Sequence, residues 1–332
     1  MKANSVAVIG GGAFGTALAC VARKAGNDVC IWARNQTVVA DINEGRGNPL
    51  YLPDVSLESG ITATTDMAEA LEGAQAVLLV VPSQHLREIA ERMAPHASGK
   101  AVALCSKGVE RSTGKLMSEV AAQCLPDSGI AVLSGPTFAR ELALGLPGAV
   151  TLAATEEWVQ NTILQTVGIP TFRPYVSNDV VGAEIGGAVK NVLAIACGIV
   201  TGRNLGENAR AALVTRGLAE VMRLAVKLGA RAETVMGLSG LGDLTLTCNS
   251  PQSRNMSFGI ELGRGRTVAE ILAERRAVTE GVWSAESVCD LADKLKVDMP
   301  ICQAVNRIVS LDADIEKTIS DVLNRPFRQE HG

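Results

Sequence analysis

Histidine and aromatic side chains are scarce in this chain, and the scarcity narrows its chemistry. Three histidines, His85, His96 and His331, are too few for a histidine-rich metal centre. His331 lies in a polar tail and His96 follows Pro95 in a stretch that reads as loop, so both are expected on the surface. With three Trp, two Tyr and five Phe, the core must be built from Ala, Val, Leu and Ile. There are eight cysteines (Cys20, Cys30, Cys105, Cys124, Cys197, Cys248, Cys289 and Cys302), but no C-x-x-C pair and no regular framework. Most sit in apolar patterns, as reduced small hydrophobes of a cytosolic protein do. No sign of charge dominates: a net charge of −4 argues against nucleic acid or an anionic membrane as the main partner. An anionic ligand must therefore meet a local basic cluster. No uninterrupted apolar run approaches the roughly 18–20 residues that a spanning helix needs. Lys2 and Ala17-Leu18-Ala19-Cys20 hint at a signal peptide, but the glycines between them break its apolar region. A cytoplasmic location is expected.

What the chain does have is 47% hydrophobic residues over 332 positions, enough for roughly two domains. Its first element is an apolar strand, Ser5-Val6-Ala7-Val8-Ile9, that runs into Gly10-Gly11-Gly12-Ala13-Phe14-Gly15 and then an alanine-rich helix. Gly10, Gly12 and Gly15 have the G-x-G-x-x-G spacing of a dinucleotide-binding turn. The first allows a tight turn, the second a close approach to a pyrophosphate, and the third close packing of helix on strand. The N–H groups at the new helix's start favour the phosphate charge. After the second strand, Asp28–Ala33, an NAD-specific site would place an acid; here Arg34 and Asn35 stand instead. Arginine suits a 2′-phosphate, which favours NADP(H). A solvated arginine at a strand end is the alternative.

Further strands are expected at 61–64, 76–81, 101–105, 130–133, 149–153 and 170–175. The run 76–81 is continuously apolar and closed by Pro82, as in a strand covered on both faces. Its carboxyl end delivers Ser83, Gln84 and His85; His85 either lines a cofactor crevice or starts a helix without chemistry. The next strand delivers Ser106-Lys107-Gly108 to the same edge, where Lys107 taken alone reads as a solvated loop lysine, and the one after it Ser134-Gly135-Pro136-Thr137-Phe138-Ala139. Ligands of open α/β sheets lie at such edges. Beyond residue 178 helical texture takes over. The expected architecture is an α/β, doubly wound Rossmann domain (1–178) followed by an all-helical domain (179–332).

One expected helix breaks the usual pattern. Val180–Cys197 is nearly all apolar or small, as a buried helix is, yet carries Lys190 on a face with Gly186, Gly187, Leu193 and Ala194. A buried ammonium loses pKa through desolvation, so Lys190 suits proton transfer near neutral pH. A lysine paired with a distant carboxylate for structure alone is the other reading. Gly237-Leu238-Ser239-Gly240-Leu241-Gly242-Asp243 delivers one carboxylate, which either orients a lysine, contacts a hydroxyl or caps the next helix; the cap is the default. Ser253-Arg254-Asn255 gathers a hydroxyl, a guanidinium and an amide, a set suited to a phosphate; a solvated loop is the other reading.

Taken in order, these motifs resemble the bacterial NAD(P)-dependent sn-glycerol-3-phosphate dehydrogenases, from residue 5 to about 310. The resembling pieces are Gly10-x-Gly12-x-x-Gly15-Thr16-Ala17, Ser106-Lys107-Gly108, Ser134–Ala139, Gly186-Gly187-Ala188-Val189-Lys190-Asn191, Gly240–Leu244 and Gln252-Ser253-Arg254-Asn255. The resemblance implies a second domain of the 6-phosphogluconate dehydrogenase C-terminal type. It also implies reversible hydride transfer between NAD(P)H and dihydroxyacetone phosphate, giving sn-glycerol 3-phosphate for phospholipid synthesis. Lys190 would be the acid/base. Lys107, Gly135, Thr137, Lys190, Asp243, Ser253, Arg254 and Asn255 would hold the substrate. Gly10, Gly12, Ala13, Phe14, Gly15, Arg34, Lys107, Ala139, Arg254, Val278 and Glu280 would hold the cofactor. Ala13 departs from the family's usual Ser or Thr, which removes one side-chain hydrogen bond to the cofactor. No metal is implied, and a homodimer is an arrangement the resemblance allows. Two rival readings are a β-hydroxyacid dehydrogenase of the 6-phosphogluconate type and a non-catalytic NADP(H) sensor, for which Lys190 has no use.

Overall fold

The computed structural model describes residues 4–275, 279–327 and 329. Eight strands form one sheet: β1 (Ser5–Ile9), β2 (Asp28–Trp32), β3 (Ile61–Thr64), β4 (Ala74–Leu79), β5 (Ala101–Leu104), β6 (Gly129–Ser134), β7 (Gly148–Ala154) and β8 (Phe172–Ser177). Their order across the sheet is β3-β2-β1-β4-β5-β6-β7-β8. The first six are parallel, while β7 is antiparallel to β6 and parallel to β8. The doubly wound pattern therefore holds through β6. The connection 135–147 then returns from the edge it left, so Ser134 pairs with Thr151. Expected and observed strands agree within two residues; β4 begins and ends two residues earlier than its apolar run.

The strands alternate with α1 (Ala13–Lys24), α2 (Gln36–Asn43), α3 (Met67–Leu71), α4 (Leu86–Ala97), α5 (Met117–Cys124), α6 (Ala139–Ala143) and α7 (Glu157–Val167). They cover both faces of the sheet, which explains why β1, β4 and β5 are buried almost throughout. His96 and Pro95 lie in the last turn of α4, not in a loop. Proline there forfeits only a bond to the carbonyl of Glu91, an exposed residue that water can serve. His96 is exposed as expected. All eight cysteines are free and six are buried.

Past Ser177 come α8 (Val180–Gly202), α9 (Glu207–Lys227), α10 (Ala232–Val235), α11 (Asp243–Asn249), α12 (Arg254–Gly263), α13 (Val268–Glu274), α14 (Glu280–Leu295), α15 (Pro300–Leu311) and α16 (Ile315–Leu323). A π-helical turn, Leu238–Gly242, precedes α11. Asp179 caps α8, its side chain accepting the Gly182 N–H at 2.9 Å. By length and composition α8 alone of the described helices is long and apolar enough to cross a membrane. The sequence reading saw no such run because Glu184 and Lys190 interrupt it. The helix is instead the axis of the helical half, packed by α9, α11, α12, α14 and α15 and touching β6 and β7. The loop after β5 crosses to this half: Val109 and Leu116 pair as a short bridge and join its apolar core.

Candidate active site

The end of β6 and the loop after β5 lie against α8, where Gly187 faces Ser134 and Lys107, and the predicted chemistry collects there. Gly10 has φ of +129°, and a Cβ on it would meet the Val80 carbonyl oxygen at 2.2 Å. A Cβ on Gly15 would meet the Gly10 carbonyl oxygen at 1.8 Å, so helix and turn touch backbone to backbone. Around Gly12 a Cβ would meet nothing within 4 Å. Gly12 precedes α1 without a side-chain cap, and the first turn holds no acid. Open space before uncapped N–H donors at a positive helix end fits a diphosphate. Ala13 and Phe14 are half-buried there, as is Ala139 at the start of α6. Arg34 is exposed at the carboxyl end of β2 and has no ion-pair partner among the described residues, while Asn35 caps α2.

Asp243 is the hub of the arrangement. It is 1% exposed and its two carboxylate oxygens hold two different lysines. Oδ1 accepts from Lys190 Nζ on α8, and Oδ2 accepts at 2.6 Å from Lys107 Nζ in the loop after β5. Lys190, 8% exposed, also donates to Thr247 Oγ1 at 3.1 Å, and Lys107 to the Gly135 carbonyl at 3.4 Å. Asp243 is thus not the helix cap expected by default. It is the first residue of α11, with Gly242 before it, and its side chain turns inward to the cations. Glycines make the approach possible. A Cβ on Gly186 would meet the Ser239 carbonyl at 2.4 Å, and one on Gly187 would press on Lys107 Cγ and Cδ at 3.2 Å.

Burial pushes the Lys190 ammonium down to about 8, assisted by Lys107 and opposed by Asp243. Burial also works against the Asp243 carboxylate, but the two ammoniums outweigh it and hold its pKa below the ordinary range. One carboxylate between two lysines leaves positive charge for an anionic ligand, and Lys190 is poised to give or take a proton near neutral pH.

The phosphate-type cluster stands at the start of α12. Ser253 caps that helix, accepting the Met256 N–H at 3.2 Å, and Arg254 is exposed. Asn255 is buried and faces inward: it donates to Asn191 Oδ1 at 2.9 Å and accepts the Gly281 N–H at 2.9 Å. Asn191 Nδ2 reaches Glu280 Oε2 at 3.5 Å. Burial raises the Glu280 pKa, against the pull of Arg254, Lys107 and Lys190. Thr137 donates to the Gly135 carbonyl at 3.3 Å. His85 is exposed on a 3₁₀ turn, 3.7 Å from Glu88, and lines a cleft of about 700 Å³ with Glu110, Arg111, Glu280 and Trp283. Val278 lies outside the described residues. Sequence reasoning missed Thr247, whose only signal is its place one helical turn after Asp243; Asn191 closes the quoted Gly186–Asn191 motif but was given no role.

Profiles described as the N-terminus and the C-terminus of NAD-dependent glycerol-3-phosphate dehydrogenase match residues 5–160 and 179–320. The chain is 55% identical over 328 residues to a glycerol-3-phosphate dehydrogenase (NAD(P)+) of Parvibaculum lavamentivorans, covering 98% of each. It is 56% identical over 330 residues to the protein so named in Rhodospirillum rubrum, covering 99% of this chain and 95% of that one. The solved glycerol-3-phosphate dehydrogenase of Coxiella burnetii has a TM-score of 0.93 at 38% identity, covering 97% of this chain and 99% of its own. D-Mandelate dehydrogenase, at 14% identity and a TM-score of 0.62, shares the fold alone. Matched from end to end by such relatives, this chain belongs to the NAD-dependent glycerol-3-phosphate dehydrogenase family.

Proposed function

We propose that this chain interconverts dihydroxyacetone phosphate and sn-glycerol 3-phosphate, with residues 1–178 binding the dinucleotide and 179–332 completing the substrate site. The observation that carries this reading is the buried Asp243 with a lysine on each oxygen, one from each half of the chain. A bound nicotinamide supplies or takes up the hydride. The turn Gly10–Gly15, with the N–H groups at Gly12, Ala13 and Phe14, would hold the diphosphate, and Ala139, Arg254 and Glu280 would complete the cofactor contacts. Lys107 would contact both substrate and nicotinamide, and its ammonium would polarise the carbonyl. In reduction Lys190 gives its proton to the C2 oxygen; in oxidation it takes the proton back. Asp243 keeps both ammoniums aimed, and Thr247 limits the rotation of Lys190. Ser253, Arg254 and Asn255, at the N-terminus of α12, would hold the phosphate, with Gly135 and Thr137 completing the substrate contacts.

Arg34, standing where an acid would serve NAD, gives NADP(H) the preference. The ratio of catalytic efficiencies with NADPH and NADH reads this directly; a clear NADH preference removes it, and Arg34→Ala is expected to erase the difference. Arg254→Ala is expected to raise the KM for dihydroxyacetone phosphate about tenfold to a hundredfold, the worth of a charge-assisted hydrogen bond. The same reading places the protein in the cytoplasm, with its product used in phospholipid synthesis, and is compatible with a homodimer. Following NADPH absorbance with dihydroxyacetone phosphate, then with hydroxyacid-type carbonyl compounds, tests the assignment. No turnover with dihydroxyacetone phosphate would end it.

A further inference from the structure

The glycine turn is held from outside by one side chain. Asn48, in the loop between α2 and β3, is 1% exposed. Its Nδ2 donates to the Gly11 carbonyl at 2.9 Å and to Thr16 Oγ1 at 2.8 Å. A backbone carbonyl only accepts, so it is the amide nitrogen that must face Gly11. Oδ1 is buried with no partner among the described residues, so the side chain acts here as a double donor. Its own place is fixed. The Asn48 carbonyl accepts the N–H groups of Tyr51 at 3.2 Å and Leu52 at 2.8 Å, and Leu52 and Val55 are buried in the same core as α1.

We propose that Asn48 is a positioning residue for the cofactor diphosphate, an inference that rests on the dinucleotide reading above. In a trans peptide the carbonyl and the N–H point to opposite sides. By holding the Gly11 carbonyl against the interior, Asn48 turns the Gly12 N–H the other way. The same amide grips Thr16, in the first turns of α1, so the turn and the helix N-terminus are fixed as one unit. The peptide between two glycines has little intrinsic preference for one orientation. Nothing in the glycine spacing itself selects the donor-outward state; Asn48 does.

The test measures NADPH affinity by the fluorescence of bound NADPH, without substrate, for the unaltered protein, Asn48→Asp and Asn48→Ser. Asn48→Asp sets a carboxylate against the Gly11 carbonyl and is expected to raise the Kd about tenfold or more; Asn48→Ser, which loses the reach to both acceptors, is expected to raise it in the same direction. In turnover the KM for NADPH is expected to rise while that for dihydroxyacetone phosphate stays within about twofold, a split that general loosening of the fold does not produce. An unchanged NADPH Kd in a variant that circular dichroism shows to be folded overturns the inference, as does a parallel rise of both KM values. Should Asn48→Asp fail to fold, Asn48→Ser decides. If the unaltered protein binds no NADPH, the functional reading fails; if it binds and the variants bind equally, only the role of Asn48 does.

Discussion

At the scale of single residues, Lys190 and Asp243 are each costly alone and tolerable together. A buried ammonium or carboxylate without a partner is strongly unfavourable, while the lysine–aspartate–lysine set leaves neither oxygen of the carboxylate unserved. Burial sets the Lys190 pKa at about 8, down from 10.5. With Lys190 as the proposed acid/base, reduction draws on the protonated lysine, so its kcat/KM is expected to be level below about pH 8 and to fall above it. Oxidation needs the neutral amine, so its kcat/KM should rise with pH to a plateau above the same value. Initial-rate profiles in both directions check this; profiles of the same sign would separate Lys190 from the proton transfer. Lys190→Ala is expected to lower kcat by roughly 10²–10⁴-fold with NADPH still bound. Linkage runs the same way: between pH 8 and 10.5 the unfolded chain keeps a proton that the folded one has lost, so this group makes the fold more stable as pH rises.

At the scale of elements, α8 and α12 meet through glycine. A Cβ on Gly198 would lie 2.7 Å from Gly259 Cα, and one on Gly202 would lie 2.9 Å from Gly263 Cα. From the other side, a Cβ on Gly259 would meet the Ile195 carbonyl oxygen at 2.1 Å. Spacing of four residues on each helix keeps both glycine pairs on one face. This seam sets how near Ser253–Asn255, at the head of α12, come to Lys190 on α8. Gly259→Ala must part the helices and is expected to cost about 1–3 kcal/mol, read from urea unfolding, with a raised KM for dihydroxyacetone phosphate. A fully stable variant would mean that the seam gives way more easily than its contacts require. The sequence reading took in Gly186 and Gly187 of α8 but ended its helix at Cys197, short of Gly198 and Gly202. Their partners on α12 were not legible, because nothing local says which other helix will lie against them.

At the scale of the whole molecule, the two halves are joined by buried polar contacts as well as by apolar packing. Glu184 of α8 accepts the N–H of Ser118 at 2.8 Å and its hydroxyl at 2.6 Å, serving the exposed donors at the start of α5 in the other half. Burial lifts its pKa from 4.5 to about 7, with the Ser118 bonds pulling the other way. The folded state therefore favours the protonated acid. Its stabilising contribution is complete below about 4.5 and is lost as pH rises through about 7. Glu220, which accepts the Ile301 and Cys302 N–H groups at the head of α15, is likewise raised to about 7. Glu184→Gln carries no charge at any pH, so the fall in stability across this window should become shallower without vanishing. Urea unfolding at a series of pH values reads the slope, and an unchanged slope would remove Glu184 as its source.

The sequence by itself determined the strand–turn–helix at Gly10–Gly15, the positions of eight strands within two residues, the change to helix beyond residue 178 and the family. These rest on short-range signals: apolar runs, glycine spacing and motif order. It also marked Lys190 as out of place, because its helix offers no partner. Tertiary structure decided the rest. Only packing brings Asp243, 53 residues beyond Lys190, to its ammonium and at the same time to Lys107. Only the returning connection after β6 reverses β7, and only the fold carries Asn48 to the glycine turn. Charge pairing and peptide orientation depend on distances across elements, and a linear chain records spacing along itself, not across.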